Sequence, residues 1–538
     1  MRLRRASGFA VTLGLLTATI ALAPSTAGAG GTPLWVKHVR NYPGGISGAV
    51  RARLVAIESG AVASAASSAL QPVPGTDVQM NEDCDPALPQ NETSVAVNVF
   101  DPSNAVAAAN DYCGDGFWIG HTTDGGATWT SEFKDPKLSP DSLSLDERRC
   151  FGADPSVVYS RRDSAFYLST LCYSPSNPSS EVQVWRSTDG GATWTDSTNA
   201  ATAMTNIAPD GSIDGSVFFD KELLAVDNSQ SSPNYGRLYV TFIKFHMEGP
   251  SGRSDYCPVQ LAYTDPRGAD PDDWTWLPPA VVPDDPGSGG RGPSANQWAM
   301  PVVDDAGGLN VESASEECNT PFNPAMFFER SDDGGAGFSA AVRIDKPGQF
   351  ADNPSRQDVL PGKHDARIPL SPSLAFDPTR DTLLFAYQNN VNRASSGADI
   401  SIQTSDDLGE TWSDTSTVSV TPSGHAAPKD QFFPWLAIDG TNGDAYAVWY
   451  DNRNDPTNQL IETFIGVSTD GGGTWTNVLV SDEAWNPGDA FFSCGCFIGD
   501  YNGMALGGSL LYPVWTDARN SAGRPSGSGH PLASGAAA

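Results

Sequence analysis

Among the side chains that could do chemistry, arginines, carboxylates and cysteines carry the informative spacings. Two apolar runs end alike, Val448-Trp-Tyr-Asp-Asn-Arg453 and Val514-Trp-Thr-Asp-Ala-Arg519. A planar guanidinium fork suits a carboxylate, so Arg453 and Arg519 could grip an acidic ligand. A salt bridge between neighbouring sheets is the plainer expectation. Eight cysteines stand at 84, 113, 150, 172, 257, 318, 494 and 496, an even count that reads as disulfides in an exported chain. Cys494-Gly495-Cys496 has no second close pair nearby and the six histidines are scattered, so the spacing of a zinc site is not met. The acidic run Asp270-Pro-Asp-Asp273 could hold calcium through oxygen ligands; a solvated loop is the simpler reading, and no cofactor is expected. No G-x-S-x-G, H-E-x-x-H or Walker pattern occurs, which argues against a serine esterase, a zincin or an NTPase.

The elements that must position these residues begin after an export signal. Arg2, Arg4 and Arg5 precede the apolar run Ala10 to Ala23 and the small-residue stretch Ser25-Thr26-Ala27-Gly28-Ala29. That order reads as a secretory signal over 1–29, cleaved after Ala29. The run is shorter than the ~20 residues a membrane span needs, and the mature chain is expected to be secreted and soluble. With 64 Asp+Glu against 32 Lys+Arg the net charge is −32, and such a surface repels phosphate backbones. Nucleic acid is therefore excluded as an expected partner.

An octet recurs along the chain: Thr122-Thr-Asp-Gly-Gly-Ala-Thr-Trp129, Ser187-Thr-Asp-Gly-Gly-Ala-Thr-Trp194, Ser405-Asp-Asp-Leu-Gly-Glu-Thr-Trp412 and Ser468-Thr-Asp-Gly-Gly-Gly-Thr-Trp475. Ser331-Asp-Asp-Gly-Gly-Ala-Gly-Phe338 is a degraded copy, and Thr264-Asp265 begins one broken by an insertion. The third-position aspartates at 124, 189, 265, 333, 407 and 470 are 65, 76, 68, 74 and 63 residues apart. The Asp can accept hydrogen bonds from a tight turn, and glycine tolerates the positive φ that the turn needs. Between octets lie short strand-like runs, such as Ser156-Val-Val-Tyr159, Ala165-Phe-Tyr-Leu168 and Val182-Gln-Val-Trp185. Each unit thus holds four strands, and four-stranded sheets repeated radially make a propeller.

The octet resembles the Asp-box of the sialidase superfamily, over roughly residues 85 to 520. The expectation is an all-β propeller over 76–519. Seven blades are expected, the last completed by Asp77-Val-Gln-Met80, with six blades as the alternative. Residues 30–75 are expected as a flexible segment in which Arg51 to Leu70 could be helical, and 520–538 as a disordered tail.

The resemblance places the boxes on the face away from an active site. Counting strands, all eight cysteines fall on or near the opposite face. The expected pairs are Cys84 with Cys113, Cys150 with Cys172 and Cys257 with Cys318, leaving Cys494 with Cys496. Arg149, Arg367, Asp154, Asp220, Glu222, Asp430, Asp500 and Tyr501 fall on that face too. Sialidases grip a sugar carboxylate with three arginines, use a glutamate-activated tyrosine as nucleophile and an aspartate as acid/base. The resemblance then implies substrate-binding roles for arginines among Arg149, Arg367, Arg453 and Arg519, with Tyr501 and Glu222 as the nucleophile pair and Asp500 as acid/base. The family's Arg-Ile-Pro signature occurs once, at Arg367-Ile368-Pro369, but before the fifth unit instead of the first. The implied activity is an exo-acting, sialidase-like glycoside hydrolase acting on extracellular glycans as a monomer. The alternatives are a non-catalytic propeller that captures a glycan or protein, and an extracellular scaffold.

Overall fold

The computed structural model describes residues 31–42, 46, 48–59, 77–82, 88–139, 143–144, 147–195, 201–266, 274–283, 296–344, 360, 362–364, 366–390, 397–489, 497–519 and 532–534. The expected signal over 1–29, Cys84, Cys494, Cys496 and the Asp270–Asp273 loop lie outside them.

Within each octet the aspartate closes its turn through side-chain and backbone bonds. In the second, Ser187 Oγ donates to Asp189 Oδ1 (2.9 Å), Thr193 N–H to the same oxygen (2.8 Å), and Thr193 Oγ1 to Oδ2 (2.6 Å). Gly191 N–H donates back to Ser187 Oγ at 3.0 Å. Gly190 and Gly191 sit at φ 77° and 94°, where a side chain would be strained. The turns at Asp124, Asp333, Asp407 and Asp470 share the bond from the first hydroxyl to the Asp and from the backbone N–H four residues on. The Asp265 carboxylate accepts from Arg237 through both oxygens.

These turns join the third and fourth strands of antiparallel meanders. Blade one is Gln90–Val97, Ala105–Asp111, Phe117–Thr122 and Glu132–Lys134. Blade two is Phe151–Ser160, Ala165–Tyr173, Ser180–Ser187 and Ala201–Thr205. Blade three is Val217–Val226, Leu238–Glu248, Val259–Thr264 and Leu277–Val281, with Arg253–Tyr256 as an extra strand. Blade four is Asn296–Val303, Leu309–Glu317, Thr320–Ser331 and Val342–Arg343. Blade five is Ser373–Asp377, Thr382–Asn389, Asp399–Ser405 and Ser416–Thr417; blade six is Gln431–Ile438, Ala445–Asp451, Glu462–Ser468 and Thr476–Leu479. The fold is therefore an all-β propeller of four-stranded blades. Six blades, not the expected seven, are contiguous in sequence. A further, composite sheet orders Gly503–Gly507, Leu510–Thr516, Leu532–Ser534 and Val78–Gln79. Its third strand comes from the tail that the sequence suggested was disordered, and it lies between Leu510–Thr516 and the expected closing strand.

The segment expected to be flexible also contributes structure. Helix α1 spans Leu34–Asn41 and helix α2 spans Gly48–Ser59. Trp35 is 1% exposed, stacked on Phe218 and edge-on to Tyr173. Both helices lie against the loops opposite the octet turns.

Two of the expected disulfides are present, Cys150–Cys172 and Cys257–Cys318. Both sit toward the side opposite the octets, with Cys172 inside the strand Ala165–Tyr173. Cys113 is also disulfide-bonded.

Candidate functional site

The first strand of a propeller blade is innermost, and here each such strand packs on the next around a central channel. Five of these strands carry the same defect. Register shifts fall between Asn91 and Ser94, Ala153 and Ser156, Asp220 and Leu223, Gln297 and Met300, and Phe432 and Trp435. Inside each shift one residue adopts positive φ: Glu92 (57°), Asp154 (51°), Lys221 (54°), Trp298 (60°) and Phe433 (58°). None is glycine, so each conformation carries strain, on the order of 1–3 kcal/mol. Bulges re-aim side chains, and those of blades one to four bring unlike groups together at the channel.

Lys221 is the hub. Its Nζ lies 2.8 Å from Asp500 Oδ2, 3.2 Å from Glu92 Oε1 and 3.6 Å from Asp154 Oδ2. The ammonium also sits over the rings of Trp298 (4.5 Å) and Tyr501 (5.3 Å), a favourable position for a desolvated cation. Asn110 donates to Glu92 Oε2 at 2.6 Å and accepts the Asp154 backbone N–H at 2.7 Å. Arg367 Nε stands 3.5 Å from Asp500 Oδ1.

Burial and mutual repulsion push these acids apart in proton affinity. Glu92 is held well above its ordinary pKa by burial, then by the charge of Asp154. Glu222 is raised well above its own by burial, again with Asp154 next. Burial acts upward on Asp500 as well, but the charges of Arg367 and Lys221 outweigh it and hold that carboxyl below the usual range. Tyr501 is raised well above its ordinary value by burial, then by Asp154, Glu92 and Glu222. One site thus contains both a proton-holding carboxyl and an ionised one, a division of labour useful for acid–base chemistry.

A cavity beside the hub is lined by Lys221, Glu222, Leu223, Trp298, Ser371, Pro372, Trp435 and Tyr501. Both Glu222 carboxyl oxygens, the Tyr501 hydroxyl and the Trp298 indole N–H are buried without a hydrogen-bond partner. Its free space is about 20 Å³, room for roughly one water.

The channel thus gathers five of the residues singled out from sequence: Tyr501, Glu222, Asp500, Arg367 and Asp154. The other arginines do not join them. Arg149 is an exposed rim residue paired with Asp115 at 2.5 Å. Arg453 chelates Asp451 in its own blade through Nε (2.9 Å) and a terminal nitrogen (2.6 Å), and donates to the Val420 carbonyl. Arg519 does the same with Asp517 and also meets Asp77 and Asp482. A three-arginine clamp is therefore not assembled, because two of its expected members are neutralised by the Asp two residues earlier. Asp430 is also held elsewhere, by Lys363 at 3.0 Å. Sequence reasoning missed Lys221, Glu92 and Trp298. Their signal was a break in strand alternation, as in Asp220-Lys221-Glu222-Leu223, which flanks a bulge.

Octet turns, four-stranded blades and their radial packing define a β-propeller fold. No family model matches the chain, and no curated protein matches it. Among solved structures, it is similar to the Hadza microbial sialidase Hz136 at 15% identity, covering 78% of this chain and 76% of that one with a TM-score of 0.42. Similarity to the Trypanosoma rangeli sialidase is 13% identity over 74% of this chain and 57% of that one, TM-score 0.43. The Penicillium chrysogenum alpha-L-arabinanase is matched at 12% identity, over 75% and 97% of the two chains, TM-score 0.41. Among the described residues no helix is long and apolar enough to cross a membrane.

Proposed function

We propose that this is a secreted glycoside hydrolase of sialidase-like type, acting on extracellular glycans at the channel mouth. One observation carries the reading: the Glu222 carboxyl and the Tyr501 hydroxyl, both without hydrogen-bond partners, line one cavity with Lys221 and Trp298. Raised proton affinity suits Glu222 to donate a proton to a glycosidic oxygen, more than to activate Tyr501 as a base. Asp500 is the ionised partner, and the Lys221–Arg367 pair supplies the positive charge the missing clamp would have given. In this reading the composite sheet serves as the seventh blade, since its inner strand packs between those of blades six and one.

The second reading is a non-catalytic glycan-binding propeller. The separation of Arg149, Arg453 and Arg519 from the channel favours it, because a sialic-acid carboxylate would then meet one arginine only.

Incubation of the secreted protein with a panel of fluorogenic aryl glycosides, sialosides included, separates the two. Hydrolysis lost in both Glu222→Gln and Tyr501→Phe supports the enzyme and its site. Hydrolysis retained in both variants would remove the proposed site. Silence across the panel together with retention on a glycan array would establish the binding propeller.

A further inference from the structure

The chain's own N-terminal segment docks on the face opposite the octets and reaches the hub. The Gly48 N–H at the start of α2 donates to Asp500 Oδ2 at 3.3 Å, the same oxygen that binds Lys221. The helix starts where only a glycine fits, since a Cβ at Gly48 would lie 2.0 Å from the Phe497 ring. Arg53, 5% exposed, donates to the carbonyls of Asp111 (2.6 Å) and Gly116 (3.1 Å) and to that of Gly114. Its guanidinium also covers the rings of Tyr112 and Phe151. From α1, Trp35 packs on Tyr173 and Phe218, and His38 Nδ1 meets the Gly252 carbonyl at 2.8 Å. Tyr42, just past α1, bonds Ser251 at 2.9 Å. The anchors thus span blades one, two and three and the loop leading into the composite sheet, all on the face opposite the octets.

Charge sets this segment apart. Residues 31–59 hold Lys37, Arg40, Arg51 and Arg53 against Glu58 alone, in a chain of net charge −32. A cationic segment lies on an acidic propeller.

We propose that residues 31–59 are a built-in plug, an intramolecular inhibitor that must be displaced before the Glu222–Tyr501 cavity admits a glycan. The inference rests on the glycan reading for its activity readout alone; the covering of the channel is tested independently.

Hydroxyl-radical footprinting of the full secreted chain, read residue by residue by mass spectrometry, compares the parent with Trp35→Ala/Arg53→Ala. Expected is a several-fold rise in oxidation at Tyr42, Tyr501 and Trp298, with Trp449 and Trp485 in and beside blade six unchanged. A rise at Tyr42 without one at Tyr501 or Trp298 would overturn the plug, because the released segment would not have covered the channel. A uniform rise that includes Trp449 would overturn it too, by making the segment an integral part of the fold. Gly48→Leu provides a second route to displacement, and no rise at Tyr42 in either variant also counts against a removable plug. If the footprint opens and aryl-glycoside hydrolysis increases, plug and enzyme stand together. If it opens and every glycoside stays intact, the plug stands and the hydrolase reading falls.

Discussion

Lys221 and Asp500 are 279 residues apart in the chain and meet at 2.8 Å in the centre of the propeller. Lys221 is contributed by blade three, and Asp500 by the loop leading into the composite sheet. Both side chains are almost fully buried, at 3% and 0% exposure. Taking two charges out of water is costly, and the arrangement persists because Glu92, Asp154 and Arg367 complete the network. Removing one partner leaves the others uncompensated. Lys221→Met should therefore cost about 3–5 kcal/mol at neutral pH, measured by chemical denaturation. Most of that cost should disappear in mild acid, where the stranded carboxylates take up protons, and Lys221→Met/Asp500→Asn should recover part of it. Equal stability of Lys221→Met and the parent at pH 7 would mean that the cluster is not a charge network.

Asp111 offers a titration beneath the plug. Burial is the largest influence on it and raises its pKa from 3.8 to about 6, against the lowering effects of the Cys113 N–H, Gln90 and Arg53. The folded state thus holds this proton more tightly than the unfolded chain does. Its contribution to stability is complete below about pH 4 and is lost as pH climbs through about 6. Both the Cys113 and Gln90 bonds end on Oδ1, which an asparagine retains. Asp111→Asn should match the parent near pH 3 and exceed its stability by up to roughly 3 kcal/mol above pH 6. Parallel stability–pH curves for the two proteins would contradict this assignment.

The octet turns should behave as independent local supports. Asp189→Ala and Asp470→Ala each strip three hydrogen bonds from an exposed turn. Each should cost about 1–2 kcal/mol. The turns belong to blades two and six and share no contact, so the double variant should be additive to within about 0.5 kcal/mol. Neither change should alter channel footprints, because the turns lie on the other face. Coupling well beyond that margin would mean that the turns act through the ring.

The turns were legible because their chemistry is local: an Asp acceptor, glycines at positive φ and a hydroxyl two residues before the Asp all fall within eight positions. The blades followed from the spacing of that motif. Strand counting put Asp154, Glu222, Asp500, Tyr501 and Arg367 on one face, but the hub Lys221 and its neighbours Glu92 and Trp298 were not legible, since they adopt backbone angles that residue type disfavours, and only closure of the ring makes them neighbours. Helix α1 was hidden for a similar reason, while α2 was legible in part, as the possible helix beginning at Arg51. Trp35 and Arg53 are fixed by aromatic rings and carbonyls from blades one to three, contacts that no local pattern announces. The arginine clamp failed at short range: the Asp at 451 and at 517 had already claimed the guanidinium two residues later.

The two disulfides provide a graded test of what holds the mouth in shape. Cys150–Cys172 closes 22 residues of chain and Cys257–Cys318 closes 61. If a crosslink acts mainly by restricting the unfolded chain, each contributes about 2–4 kcal/mol and the longer loop contributes about 1 kcal/mol more. Cys257→Ser/Cys318→Ser should therefore lower stability further than Cys150→Ser/Cys172→Ser, as read by denaturant midpoints at equal m. Cys150 and Cys172 flank Phe151 and Tyr173, the rings on which Arg53 and Trp35 rest. Loss of this shorter bridge should loosen the plug and raise Tyr42 oxidation, although it costs less global stability. The longer bridge ties blade three to blade four, and its loss should leave Arg53 seated. The reverse pattern, with Tyr42 released only by loss of Cys257–Cys318, would shift the main anchor of the plug from the Arg53 cradle to the loop at Ser251 and Gly252.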